Sequence, residues 1–399
     1  MRPVTKIIST LLTLIMLGAL FVWRASQNLE RQNYTSANFF VFWLSGRLLL
    51  DGQSPYNAEQ WAEGHTTYGE VEPREPTFLY PLPLAVFLIP LGLLPVGEAY
   101  FIWQILSQMA IAVVVFALLG RWRSESHQRL LVPAVLFLSF FGPVYLTLQI
   151  GSLGPLTLLF VFGSLHFLDR EQSFAAGLLL SLTMLKPSQG ITLLLLIGLV
   201  FLLRRDWKAI AGITVGGIAL LLIGLLLDTN WVSSFQQSSQ AAFDRRLGVQ
   251  PNVWSFSYLA CNGNSTCYYI LGAAAMLTLL SGTSYYLWRC RLKMTNWQIF
   301  NFIIPIAFVS TLYLWAYDQI LYVLPVIWIL GTLVEKRRSY IPAILFLIVL
   351  DLFSFFALAQ QALTGKDLWS LGTTLIILVA LFATQRMRKK TCTCIISVN

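Results

Sequence analysis

Residues 208–227 read KAIAGITVGGIALLLIGLLL, a run whose sole charge is Lys208 at its very start. About 20 apolar residues at the helical rise match the hydrocarbon thickness of a bilayer, about 30 Å. The run is continuous, without the apolar–polar alternation of a barrel strand. A helix is therefore the structure that satisfies its peptide groups in lipid. Working outward from it, comparable runs fall at roughly 7–23, 98–119, 131–148, 153–168, 173–185, 190–203, 268–288, 297–316, 319–334, 341–357 and 371–384. The expected architecture is an all-α polytopic membrane protein of about 12 transmembrane helices, each close to the about 20 residues a crossing needs. Residues 1–399 form one integral membrane domain. The run 7–23 is long for a signal peptide and ends in Val22-Trp23-Arg24, a poor cleavage site, so it reads as an uncleaved first helix.

Composition agrees. Of 399 residues, 57% are hydrophobic and 11% charged, and the mean hydropathy is +0.69. A soluble domain carries about a quarter charged residues, and 27 Lys+Arg with 18 Asp+Glu cannot cover a water-soluble surface of this size. A soluble enzyme, a disordered chain and a nucleic-acid-binding module are all excluded. The net charge of +9 is instead a matter of topology.

Sidedness turns on residues 78–94, which Pro81, Pro83 and Pro90 punctuate, with Pro95 just beyond. Proline removes a backbone donor and breaks helices. If this piece is interfacial or re-entrant rather than a full crossing, the basic residues sort to one face. Arg2, Lys6, Arg121, Arg123, Arg129, Arg170, Arg204, Arg205, Lys208, Arg289, Arg291, Lys293, Lys336, Arg337, Arg338, Arg386, Arg388, Lys389 and Lys390 then lie inside. Arg24, Arg31, Arg47, Arg74, Lys186, Arg245, Arg246 and Lys366 lie outside. The excess inside puts both termini in the cytoplasm of a protein of the plasma membrane.

Two long segments are then outside. The first, 24–97, holds Glu30, Asp51, Glu59, Glu63, Glu70, Glu72 and Glu75 and many aromatics. Its stretch Phe39–Leu50 is too short to span and carries Arg47, so it reads as a helix lying in the interface. The second, 228–267, holds Asp244-Arg245-Arg246 and Trp254. Shorter outer corners carry Gln149 and Ser152, then Lys186-Pro187-Ser188-Gln189, then Tyr317-Asp318-Gln319. The inner loops are short, basic connectors. Chemistry gathered at the outer face suits a substrate with a lipid tail and a polar head, and ionisable groups near membrane depth are functional candidates by default.

Cys261 and Cys267 flank a short outer turn, where an oxidising compartment would allow a disulfide. Cys290, Cys392 and Cys394 fall inside. His65, His127 and His166 are scattered, and no metal-ligand spacing occurs, so neither a metal nor a cofactor is expected. Asn33-Tyr-Thr35 and Asn264-Ser-Thr266 match the glycosylation sequon. Neither a P-loop nor a dinucleotide fingerprint is present, and no serine sits in G-x-S-x-G.

The order of the outer motifs carries a resemblance. Asn38-Phe39, Trp43, Arg47, Gly52 and Pro55-Tyr56 are followed by Tyr80-Pro81, Pro90, Gly151 and Gly177. Lys186-Pro187, Trp207, Trp315, Tyr317-Asp318-Gln319 and Pro325 complete the series. Over about 36–335 this resembles the glycosyltransferase 87 family of the GT-C superfold. The resemblance implies a hexosyltransferase that moves a sugar, mannose in characterised relatives, from a polyprenyl-phosphate carrier to an outer-face glycolipid or glycan acceptor. Two departures stand out. The family's catalytic-base Asp before Phe39 is Asn38 here, and an amide takes no proton at neutral pH. The family's Gly-Gln is Gly151-Ser152.

Inverting transfer from a phosphate-linked donor needs a carboxylate base, cations on the leaving phosphate, and rings that stack on sugar. Asp318, Glu72 and Glu75 are the candidate bases, with Asp51 an outsider. Asp318 is favoured because two flanking helices fix its corner; its plainer roles are a solvated loop acid or a partner of Lys186. Lys186 is the leading phosphate contact, against a lysine snorkelling at a helix end. Arg245 or Arg246 would bind phosphate or merely headgroups, and Arg47 the lipid phosphate or the interface. Tyr56, Tyr80, Trp254, Trp315, Tyr317 and Gln319 complete the substrate-binding set, although lone aromatics are common in interface belts. Asp351, within a span, carries no assigned role. Two rival readings stay open. A lipid-linked-sugar flippase fits the span count but lacks an internal repeat, and an inert polyprenyl-lipid-binding relative fits Asn38.

Overall fold

The computed structural model describes residues 38–69, 72–121, 140–290, 292–337 and 340–387, with Ser26, Leu130, Pro133, Ala134, Phe137 and Leu138 besides. The expected helix 7–23, the Asn33 sequon, His127, Glu70, Cys392 and Cys394 lie outside the described residues. Among the described residues there is no strand. The protein is an all-α membrane protein.

Six helices among the described residues are long and apolar enough to cross a bilayer: Val96–Leu119, Pro187–Arg204, Trp207–Leu225, Ser265–Cys290, Ala316–Glu335 and Ile341–Thr364. The expected spans 153–168, 173–185, 297–316 and 371–384 form the shorter apolar helices Gly154–Asp169, Ser173–Leu185, Asn296–Ser310 and Ser370–Thr384, while 7–23 and part of 131–148 lie outside the described residues. A count of about 12 full crossings is therefore not reached among the described residues. Gly154–Asp169 and Asn296–Ser310, for example, have 16 and 15 residues, short of the about 20 a crossing needs.

The spans sort into layers by what surrounds them. Ala316–Glu335 is enclosed by protein on most of its surface and runs through the main core, with Ile320, Leu321, Val323, Leu324, Ile327 and Leu330 fully buried. Ser265–Cys290 and Ile341–Thr364 leave Ile270, Leu277, Leu345, Val349 and Leu352 exposed. Such apolar faces are the lipid-contacting side of a bundle, because hydrocarbon solvates them as well as protein does. Where helices touch closely, small residues permit it: Gly177 and Gly212 leave no room for a Cβ between Ser173–Ser181 and Trp207–Leu225.

A second, aromatic core gathers around Phe39, Phe42, Trp61, Tyr100 and Trp103. Helix Asn38–Leu50 forms as expected, but it is packed rather than peripheral: Phe39, Phe40, Phe42, Trp43, Leu44 and Leu48 are all buried. Its apolar residues run nearly all round the helix, so one interfacial face cannot satisfy them. It packs on Leu82–Gly92, where Gly46 and Gly92 bring the two backbones together, and Trp43 Nε1 donates to Leu94 O at 3.0 Å. Leu82–Gly92 itself has eleven residues, about 17 Å at the helical rise, too short to cross. Pro83 opens it, Pro90 lies within it and Pro95 precedes the next helix.

Gly151 locks this layer to the bundle. Its φ is +64°, and a Cβ there would meet Phe39 Cβ at 2.7 Å. Phe39 N donates to Ile150 O at 3.2 Å, and Trp103 Nε1 donates to Gly151 O at 3.0 Å. Glycine reaches this left-handed conformation freely where other residues are strained.

Candidate functional site

The expected helix 297–316 ends at Ser310, and the chain runs extended through Thr311 to Trp315 before a tight turn over Ala316–Tyr322. An acid sits at the centre of that turn. Asp318 Oδ2 accepts from Trp315 N at 3.0 Å, reversing the chain, while Oδ1 accepts from Lys186 Nζ and from Gln189 Nε2 at 3.1 Å. Lys186 and Asp318 are both fully buried. Lys186 Nζ also lies 5.1 Å from the Tyr317 ring centre. The lysine-proline and tyrosine-aspartate corners thus meet as one ion pair.

Asp367 supports the same turn from the far side. It accepts from Ala316 N and from Ser370 Oγ, and Gln319 Nε2 donates to Ser370 O at 2.8 Å. Burial pushes the Asp367 carboxyl up to about 7, against the lowering effect of these two bonds. Sequence does not reveal that Asp367 supports this turn, because Ala316, the turn residue it holds, is 51 positions away.

A cavity of about 590 Å³ opens in front of this corner. Of the residues singled out from sequence, Asn38, Glu72, Glu75, Tyr80, Arg246, Trp315 and Tyr317 line it. Asn38 is within hydrogen-bonding reach of the Tyr317 side chain. Lys186 and Asp318 are not part of its wall; they sit behind Tyr317.

The roof comes from the meeting of the two long segments 24–97 and 228–267. Thr77 and Ser238 hydroxyls lie 2.6 Å apart, and Glu75 bridges both Arg245 and Arg246. Arg246 also donates to the Tyr313 hydroxyl and stands 5.7 Å from the Trp315 ring centre. Burial alone would lower the Arg246 guanidinium, but Tyr313 and Glu75 outweigh it and hold it above its ordinary value. Burial likewise raises the phenols of Tyr80 and Tyr313, so both are neutral donors.

Other expected contacts lie elsewhere. Tyr56 is behind the wall, donating to Tyr80 O. Arg47 pairs with Asp51 at 3.2 Å and with the Tyr68 hydroxyl. Trp254 is buried against Phe243, Tyr269 and Gly272, and Gln319 faces Ser370. Asp51, the outsider, is occupied by Arg47 and Tyr68. Conversely, the cavity wall includes His65, Arg74 and Tyr313, which drew no functional assignment from sequence. Each is a lone residue whose neighbours come from distant segments.

Cys261 and Cys267 are joined in a disulfide. Among the described residues no three His, Cys, Asp or Glu side chains gather closely enough to hold a metal ion.

Compared with known families, residues 78–314 match the model of glycosyltransferase family 87, which is more than half of the chain. No curated protein and no solved structure matches it.

Proposed function

This chain belongs to glycosyltransferase family 87, and from that premise we propose that it transfers a hexose, mannose in the first instance, from a polyprenyl-phosphate donor to a glycolipid or glycan acceptor at the outer face of the plasma membrane, with both termini cytoplasmic. The observation that carries the reading is Arg246. A guanidinium held by Glu75 and Tyr313, against Trp315 and on the cavity wall, is a preorganised anion site beside stacking rings. Guanidinium groups match phosphate geometry, and their strength rises in a water-poor site. Arg74, exposed on the same wall, adds a second cation. The volume falls within the range of small-molecule sites, about 300–1,000 Å³. Trp315, Tyr80 and Tyr317 supply faces for a sugar ring, and Asn38 and the neutral phenols supply polar contacts to its hydroxyls.

Within this reading the Lys186–Asp318 pair holds the Trp315–Tyr317 corner in place. Asp318 is enclosed and already accepts three hydrogen bonds, so it serves as an anchor for the residues that touch substrate.

The test is transfer of labelled hexose from synthetic polyprenyl-phosphate donors by purified protein in lipid nanodiscs, with Arg246→Ala beside the native chain. Native turnover with a loss of about 10²–10³-fold in Arg246→Ala supports the assignment, as expected for removing a group that stabilises developing charge. Donor that crosses proteoliposomes without forming a new glycosidic bond would establish the flippase reading instead.

A further inference from the structure

Resting on that reading, we propose that His65 is the general base that deprotonates the acceptor hydroxyl. The wall of the cavity offers few groups able to take a proton. Asn38 cannot, being an amide. Asp318 is sealed behind Tyr317 in its pair with Lys186. Glu75 is neutralised by two guanidinium groups at once. Glu72 lines the cavity but is exposed to solvent, where water and salt weaken its hold on a single proton donor.

His65 differs from all of these. It sits on helix Ala58–Gly69, is 4% exposed and lines the cavity. Its ring is fixed edge-on against Phe40 and Trp61, with centres 5.3 and 4.7 Å away. Nδ1 lies 2.9 Å from Trp61 O. A carbonyl oxygen only accepts, so Nδ1 carries the hydrogen and Nε2 carries the lone pair. His65 and Asn38 line the same cavity, so the imidazole shares it with the amide that stands where the resembling family has its acid. Burial holds the ring below its ordinary value, opposed by the Trp61 bond, so it is neutral and ready at pH 7.

The step balances simply. Nε2 takes the acceptor hydroxyl proton as that oxygen bonds to the sugar's anomeric carbon. The bond from that carbon to the phosphate oxygen breaks, its electron pair leaves with polyprenyl phosphate, and the imidazolium returns its proton to water.

His65→Asn keeps an amide N–H where Nδ1–H stood and removes Nε2, so packing survives while the base is lost. The expected result is a fall of about 10²–10⁴-fold in kcat with KM for the donor little changed. Adding Asn38→Asp to His65→Asn restores transfer, and its acid limb moves from that of an imidazole held below its ordinary value by burial toward the carboxylate range near about 4. The other titratable groups on the wall are Glu72, Arg74, Glu75 and Arg246 and the phenols of Tyr80, Tyr313 and Tyr317. Glu72→Gln and Glu75→Gln are therefore profiled alongside. Native-like kcat in His65→Asn, or an acid limb abolished by Glu72→Gln instead, overturns the inference while leaving the transferase reading intact. No transfer by the native chain from any polyprenyl-phosphate hexose overturns the reading itself, and this inference with it.

Discussion

Removing one member of the Lys186–Asp318 pair probes the corner on which the cavity is built. Both side chains are essentially without solvent contact, at 3% and 0% exposure. Breaking a buried pair by deleting one partner costs roughly 3–5 kcal/mol, because the survivor is left as an uncompensated charge. The two deletions are not equivalent. Lys186→Met leaves Asp318 two donors, Trp315 N at 3.0 Å and Gln189 Nε2 at 3.1 Å, so its cost sits at the low end, about 3 kcal/mol. Asp318→Ala removes the acceptor for all three donors and strands the ammonium against the Tyr317 ring, so its cost reaches about 5 kcal/mol. Combining Lys186→Met with Asp318→Ala removes both charges at once. That double variant should be less destabilised than the two single changes summed, by up to about 3 kcal/mol. Thermal unfolding of the four proteins in one detergent, followed by tryptophan fluorescence, ranks them. Single variants that unfold at the native temperature, or a strictly additive double variant, would refute the idea that these residues act as one anchor.

Gly151→Ala must strain a backbone at φ +64° and push Phe39 away from a 2.7 Å contact, so a loss of about 2–4 kcal/mol is expected in the same unfolding assay; native stability would mean that this junction yields. Asp367 supplies a pH dependence. In the folded chain its carboxyl titrates at about 7, whereas unfolded it titrates near about 4. Between those values the unfolded chain has already released the proton, so this group's contribution to stability falls as pH rises from about 4 to about 7. Asp367→Asn should flatten that slope, and a slope unchanged in the variant counts against burial as its cause. For sidedness, an impermeant maleimide applied to intact cells should label Cys261 and Cys267 only after reduction; labelling that needs permeabilised cells would place residues 228–267 on the other face.

Much of the fold was legible in hydropathy, because a residue's affinity for lipid is a local property that survives without neighbours. The bounds of Val96–Leu119 and Trp207–Leu225 fall within a few residues of the runs read from sequence. The Phe39–Leu50 stretch was legible as a helix but not as a packed one, since burial depends on Leu82–Gly92 arriving beside it. The helix expected to reach 316 stops at Ser310, and beyond it Trp315 N bonds to the Asp318 side chain rather than to a helical carbonyl. Within the site, Asp318 and Lys186 stood out as polar groups in apolar surroundings, and their pairing across 132 positions, one of the roles open to Asp318 from sequence, is the one the structure shows. His65 was invisible for the opposite reason. A single histidine in a polar loop carries no periodic or spacing signal.

What the chain alone determined was its solvent and its architecture: with 11% charged residues and long apolar runs, lipid and helices were the available solution. The free energy of burying apolar residues sums over local stretches, so order in the sequence suffices to read it. Tertiary structure decided which ions pair, which nitrogen of His65 is free and which side of Tyr317 faces the cavity. Those outcomes depend on distances of a few ångströms between segments far apart in the chain, where Coulomb and hydrogen-bond energies change steeply and no local pattern records them.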